Sequence, residues 1–368
     1  MKNDYEGFFS KDVQSLVDTL IDLNSRVDAK TQATMDETYK TMVEAFDRSC
    51  VACRQMDERL SDDPEQLKEV KERFREAISP LLGKSWCYSR ALNKPRGYPG
   101  DAGLLTVMYD NVPLATGFAG YVDLYFLSTT LAYGIRERLR CAKTFLIEEL
   151  ERRHGDVSVL NVACGPVREY EGGIEHPSDV KIHINCLDSD AETLDYVKKR
   201  STTGAFGDLD INCVCYNALR TSSTKNNIRM FGQPDILYSI GLCDYIPDEY
   251  LIPMLQGWRE TVNDGGVVYV AFKDTRRYSH TIYQWYTDWN FYLRTEEDCR
   301  SLFEQAGYDV YGLKMTRDTT GSIFNFIGRK KKLSYIRIDR AEPRVAEPLS
   351  APVRSREEEL AVAHSKTS

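Results

Sequence analysis

Residues 159–166 read VLNVACGP, an apolar run that ends in the small residues Ala163, Cys164 and Gly165 before Pro166. Small residues at such a place let a ligand approach the backbone closely, and the helix expected to follow offers free N–H groups. The run is not G-x-G-x-x-G and carries no P-loop lysine, so a dinucleotide is a poor fit. Asp188 stands twenty-three residues after Gly165, at the end of a second apolar run. An acid in that position can accept both hydroxyls of a ribose. A third run ends in Asn217-Ala218, where the side-chain amide can pair with a purine edge. A fourth ends in Gly241-Leu242-Cys243-Asp244-Tyr245, beside the place where a reacting group would sit.

These residues need strands to hold them, and the sequence supplies strands. From Asp156 onward, short apolar runs at 158–163, 181–187, 211–216, 235–240 and 266–272 alternate with amphipathic helical stretches. Strands alternating with helices predict a parallel sheet covered on both faces, with ligands bound beyond the carboxyl ends of the strands. Ser189 and Glu192 read as a capping box before Leu194 and Val197. A helix from Asp248 to about Val262 stops at the turn 263–266, NDGG. Two further strands, 308–315 and 323–329, are separated only by the loop 316–322. That loop is too short for a parallel crossover, so an antiparallel hairpin is expected.

The first 150 residues read as helical. Val13, Leu16, Val17, Leu20 and Ile21 recur at helical spacing, and Met35, Tyr39, Met42, Val43 and Phe46 continue the pattern. Asp63 and Pro64 open a third helix with the stripe Leu67, Val70, Phe74 and Ile78. Another helix is expected from about Val122 to Glu151. Between them lies KPRGYPGD, residues 94–101, whose two prolines and two glycines mark a shaped loop. The expected organisation is a helical cap over 1–150, a ligand-binding α/β domain over 151–332, and a flexible tail over 333–368, where prolines and mixed charges dominate.

Composition narrows the partners. Net charge is −8 over 368 residues, which argues against general attraction to nucleic acid or anionic lipid. The basic run 329–332 reads as a solvated strand end. No signal peptide or membrane span is legible, so a cytoplasmic location is expected. Cys50 and Cys53 form a C-x-x-C pair without two further ligands nearby, so no metal is expected and a packed helix face is favoured. The oligomeric state stays open, a homodimer being one option.

With the strand ends on the page, residues 156–330 resemble a class I S-adenosylmethionine-dependent methyltransferase. The resemblance implies a Rossmann-like seven-stranded sheet with an antiparallel C-terminal hairpin, here preceded by a helical cap. It implies S-adenosylmethionine as cofactor, with its methionine part near Gly165, its ribose on Asp188 and its adenine near Asn217. In that superfamily an acid usually stands where Asn161 stands, and a glycine where Val167 stands. KPRGYPGD, ACGPVRE and 238–245, YSIGLCDY, together resemble the bacterial 3-hydroxypalmitate methyl ester biosynthesis family, whose members methylate the carboxyl group of a hydroxylated fatty acid. The expected function is therefore methylation of a small molecule, foremost O-methylation of a carboxylic acid. The alternatives are N- or C-methylation of an aromatic or indole metabolite, or a catalytically silent cofactor-binding protein.

A carboxylate acceptor is already ionised near neutrality and needs a clamp rather than a base. Arg96, Tyr98 and Tyr109 are candidates for that clamp, with Arg294 farther off; Arg96 and Tyr98 can equally serve only to fix the loop. An alcohol or phenol acceptor needs a base, for which Asp244 comes first and His280 second. The stretch 278–292 holds Tyr278, Tyr283, Trp285, Tyr286, Trp289, Phe291 and Tyr292. Most of these are expected to pack the cap onto the sheet, with one or two facing substrate. The KPRGYPGD loop is expected to fold over the cofactor, with Tyr98 or Asp101 reaching its amino-acid end.

Overall fold

Alternation of buried side chains fixes the faces of the central strands. In β1 (Gly155–Val162), Val157 and Val159 join one core while Leu160 and Val162 join the core on the opposite face. The chain continues through β2 (Val180–Asp188), β3 (Asp210–Cys215), β4 (Ile236–Ser239), β5 (Val267–Lys273), β6 (Lys314–Arg317) and β7 (Ile323–Arg329). The strand order is β3-β2-β1-β4-β5-β7-β6. The pairs among β1 to β5 are parallel, and β7 runs antiparallel to both β5 and β6. The expected C-terminal hairpin is present. Order reverses between β1 and β4, so the ligand crevice belongs at their carboxyl ends.

The computed structural model describes residues 5–27 and 32–331. The expected tail over 333–368 and the side chain of Met35 lie outside the described residues. Helices α1 (Gln14–Arg26), α2 (Gln32–Arg59), α3 (Pro64–Leu82), α4 (Trp86–Asn93), α5 (Ala102–Asp110), α6 (Gly117–Ser128) and α7 (Thr130–Leu150) precede the sheet. Asp63 caps α3 by accepting from the Gln66 N–H, and Pro64 opens it, as the sequence predicts. After β2 come α8 (Ala191–Thr202), α9 (Thr224–Phe231), α10 (Asp248–Thr261), α11 (Thr281–Thr287) and α12 (Glu296–Gln305). One face of the sheet packs on α7 and α8 through Phe145, Leu146, Leu194 and Val197. The other packs on α10 and α12 through Leu251, Leu255, Trp258 and Phe303.

A third core joins the N-terminal helices to α11. Phe46, Phe74 and Phe8 meet Trp285 and Tyr286 edge-on or nearly so. The aromatic stretch is thus chiefly packing, as the sequence predicts. Tyr292 stays exposed. Cys50 and Cys53 are buried in this same core. Burial holds both thiols protonated, Cys50 up to about 12. No helix among the described residues is long and apolar enough to cross a membrane.

Three local expectations are corrected. The expected helix over 122–151 is two helices, because Thr129 is extended and its hydroxyl caps α7 at the Ala132 N–H. The same hydroxyl meets that of Tyr283 at 2.5 Å, so tertiary packing fixes the break. The cap of α8 is Asp190, which accepts from the Glu192 N–H and the Thr193 hydroxyl; Ser189 does not cap it. The strand expected over 308–315 begins only at Lys314. Tyr308 instead buries its ring against Phe303 and donates its hydroxyl to the Leu255 carbonyl, and a turn follows at Asp309.

Candidate functional site

The loop leaving β1 takes left-handed backbone at alternate residues: Ala163 (φ 56°), Gly165 (φ 55°) and Val167 (φ 54°). This is glycine-type geometry, built here with one glycine. Each L-residue there costs about 1–2 kcal/mol. Full burial of the Val167 side chain in the sheet core offsets its share. The turn is anchored from β2. The Cys164 N–H donates to the Leu187 carbonyl at 2.9 Å, and the Gly165 N–H donates to Asp188 Oδ2 at 3.0 Å. Asp188 Oδ1 accepts from the Asp190 N–H at 3.0 Å. Asp188 is buried, and burial pushes its carboxyl above the usual range, opposed by these N–H donors. Gly165 and Asp188, paired by the sequence as cofactor contacts, do meet.

Asn161 lies on β1 where an acid was expected, and a carboxylate reaches the same place from elsewhere. Glu169 accepts from Asn161 Nδ2 at 2.8 Å and from the Tyr238 hydroxyl at 2.5 Å. Burial raises the Glu169 carboxyl, partly opposed by those two donors. Asn217 is exposed, and its Oδ1 caps the turn after β3 by accepting from the Leu219 N–H, while Ala218 is buried.

The loop 94–101 lies against this site. Tyr98 is half-buried; burial pushes its phenol up, and Asp188, Asp190, Asp101 and Cys164 add to the shift by proximity. A Cβ on Gly165 would come 3.8 Å from Leu105 of α5. Two ties fasten cap to sheet. Arg168, just after the β1 turn, reaches Asp110 at the end of α5 at 2.5 Å. Arg96 pairs with Glu192 and stands 3.6 Å from Asp190.

That pairing revises the role of Arg96: its guanidinium is occupied, so it fastens the loop and is not a free carboxylate clamp. Asp101 is likewise turned inward. Its carboxylate caps α5 at the Leu104 N–H and pairs with Arg90 Nε at 2.8 Å. Arg294 is buried on Asp248 and on the carbonyls of Cys243 and Ile246, bracing the loop after β4. Asp244, the leading candidate base, is 1 % exposed and accepts from the Lys273 ammonium at 2.6 Å and the Lys273 N–H at 3.1 Å. Burial in turn lowers the Lys273 ammonium, Asp244 opposing. His280 does not join the site. It heads α11 toward α2 and α3, where Asp57, Lys71 and Arg54 influence it, and burial lowers its pKa.

Sequence reasoning passed over Arg138, Lys273 and Glu169. Arg138 is buried on α7 and its guanidinium faces Gly241 after β4. Its signal was its place three residues after Ile135, on the apolar stripe. Lys273 ended an apolar strand run without being weighed. Among the described residues no group of three or more His, Cys, Asp or Glu is arranged to hold a metal.

The fold is the Rossmann-like methyltransferase fold. Its strand order, with β7 inserted antiparallel between β5 and β6, decides that. A possible exported protein from Bordetella parapertussis is similar across 88% of this chain and 96% of its own, at 16% identity and a TM-score of 0.52. Magnesium protoporphyrin IX methyltransferase from Synechocystis PCC 6803 covers 55% of this chain and 84% of its own, at 11% identity and a TM-score of 0.39. The N-methyltransferase NodS from Bradyrhizobium japonicum WM9 covers 53% and 97%, at 10% identity and a TM-score of 0.35. No protein-family model matches the chain, and a search of curated proteins finds no match. The β1 turn, Asp188 and the β4 end sit at the carboxyl ends of neighbouring strands, with Tyr98 of loop 94–101 close to Asp188 and Cys164. Those residues fit S-adenosylmethionine: a close-approach turn, a buried carboxylate, and a buried cation with an unpartnered Nε atom, Arg138.

Proposed function

We propose that this chain is an S-adenosylmethionine-dependent methyltransferase acting on a small molecule, and that the acceptor is the carboxyl group of a fatty acid. The observation that carries the cofactor reading is the 3.0 Å bond between the Gly165 N–H and the Asp188 carboxylate, at the switch point of the sheet. Gly165 and the β1 turn line the methionine part, Asp188 takes the ribose hydroxyls, and Asn217 and Ala218 flank adenine. When bound, the cofactor supplies a methyl group on a positively charged sulfur. The chain's own work is then to align the acceptor and exclude water.

The carboxylate acceptor is supported by what surrounds the β4 end. Asp244 is committed to Lys273, His280 lies elsewhere, and burial keeps Tyr98 protonated. A site without a free base suits an acceptor that is already ionised. A cation and hydroxyls are present instead: Arg138, Tyr109 and Tyr98. The sequence resemblance to the 3-hydroxypalmitate methyl ester family points to the same chemistry.

The test is a screen of the full chain with isotopically labelled cofactor against 3-hydroxy fatty acids, phenols and indoles, reading the product by mass. A base-labile methyl ester is expected. A base-stable methylated product would assign the acceptor to a nitrogen, carbon or phenol. Binding without turnover on any acceptor would favour a silent cofactor-binding protein.

A further inference from the structure

Arg138 sits in the middle of α7 and is only 3 % exposed. A buried guanidinium without a counter-charge is costly, and proteins rarely keep one without use. Among the described residues no carboxylate oxygen lies within 4 Å of it, and its Nε has no hydrogen-bond partner. The Tyr109 hydroxyl hydrogen-bonds to it but brings no charge. The neighbouring acids are spent: Asp244 is held by Lys273, and Glu169 by Asn161 and Tyr238. The guanidinium therefore makes no ion pair among the described residues, and the Glu169 carboxyl acts on it only through space.

Its direction is also specific. A Cβ built on Gly241 would lie 3.5 Å and 3.7 Å from the two terminal nitrogens of Arg138. Gly241 is half-buried and follows β4, at the switch point. Glycine there leaves the guanidinium approachable from the crevice; any side chain would stand in the way. A planar guanidinium matches a carboxylate.

We infer that Arg138, reached past Gly241, binds a carboxylate at the end of β4. This rests on the proposed function, which supplies two sources of that group: the amino-acid end of S-adenosylmethionine, and the acceptor acid. Arg138 then pairs its charge only when a ligand is bound, and it would select ligands bearing that carboxylate.

The test uses the full chain and its Arg138→Gln and Gly241→Ala variants, with folding checked by circular dichroism. Each is titrated calorimetrically with S-adenosylmethionine and with its decarboxylated form. In a second arm, protein saturated with S-adenosylhomocysteine is titrated with 3-hydroxydecanoate. If the cofactor's carboxylate is the partner, R138Q weakens S-adenosylmethionine binding by about ten- to a hundredfold and leaves the decarboxylated form unchanged. If the acceptor is the partner, S-adenosylmethionine binding is unchanged and 3-hydroxydecanoate binding falls by a similar factor. G241A weakens the same carboxylate-dependent step, which keeps the test intact should R138Q fail to fold. The inference is overturned if the variants bind all three ligands like the parent, or lose both cofactor forms equally. If the parent itself binds neither cofactor form, the proposed function falls first and the inference with it.

Discussion

Ala163 and Val167 hold a backbone shape that glycine adopts freely, and the substitution of either tests how much strain the β1 turn stores. Val167 is a mixed case because its side chain also fills the sheet core. Ala163 is cleaner, being only half-buried at φ 56°. Ala163→Gly is expected to raise unfolding stability by about 0.5–1 kcal/mol in a denaturant titration, the strain relieved less glycine's entropy. A loss of stability would contradict the strain assignment. Glu169 makes a prediction in pH. Its carboxyl titrates above the ordinary range in the folded chain, whereas an unfolded Glu ionises near about 4.3. The unfolded state therefore loses its proton first, and this group's contribution falls as pH rises from about 4.3 toward the folded value. Glu169→Gln keeps an oxygen to accept from Asn161 and Tyr238. Its melting temperature relative to the parent should climb between pH 4 and pH 8; a flat or falling difference would refute the assignment. At this scale the sequence anticipated that Gly165 and Asp188 come together at the strand ends. It was unreadable where partners come from afar, as with Arg96 on Glu192 or Asp244 on Lys273, since spacing does not report ion pairs across the fold.

Periodicity settled the elements and failed at their seams. The central strands fall within a few residues of their expected bounds because alternation and burial agree there. The break at Thr129 was invisible, since it is fixed by Tyr283, 154 positions on. Tyr308 and its neighbours have strand-like composition but serve the helical face of α10 and α12. Two predictions belong to elements. The Lys273–Asp244 pair joins the end of β5 to the loop after β4, both partners buried. Lys273→Met should cost about 3–5 kcal/mol by leaving Asp244 charged and unpaired, and the double change Lys273→Met with Asp244→Leu should recover much of that. Equal losses in both proteins would show that the packing, and not the stranded charge, is responsible. Asp101→Ala removes the cap of α5 and the partner of Arg90, so unfolding stability should drop by about 2 kcal/mol. Undiminished stability would mean that the carboxylate does not brace the loop.

On the scale of the whole molecule, the described residues belong to one compact unit, and the helical cap is fastened to the sheet through Arg96 and Arg168. The strand-helix alternation made the sheet legible, and the proline- and glycine-rich loop made a cover over the crevice legible. The third core was legible only as a run of aromatics, because the helices that receive it lie far earlier in the chain. What the arrangement yields is a crevice at the β1–β4 switch point, with a close-approach turn, a buried acid and a buried unpaired cation. The central claim is that this crevice holds S-adenosylmethionine. Isothermal titration of the full chain with S-adenosylmethionine, beside an Asp188→Ala variant of intact fold, tests it most directly. The account predicts saturable one-to-one binding to the parent, weakened by about ten- to a hundredfold in the variant. Absence of binding to the folded parent, or equal affinity in both proteins, would contradict it.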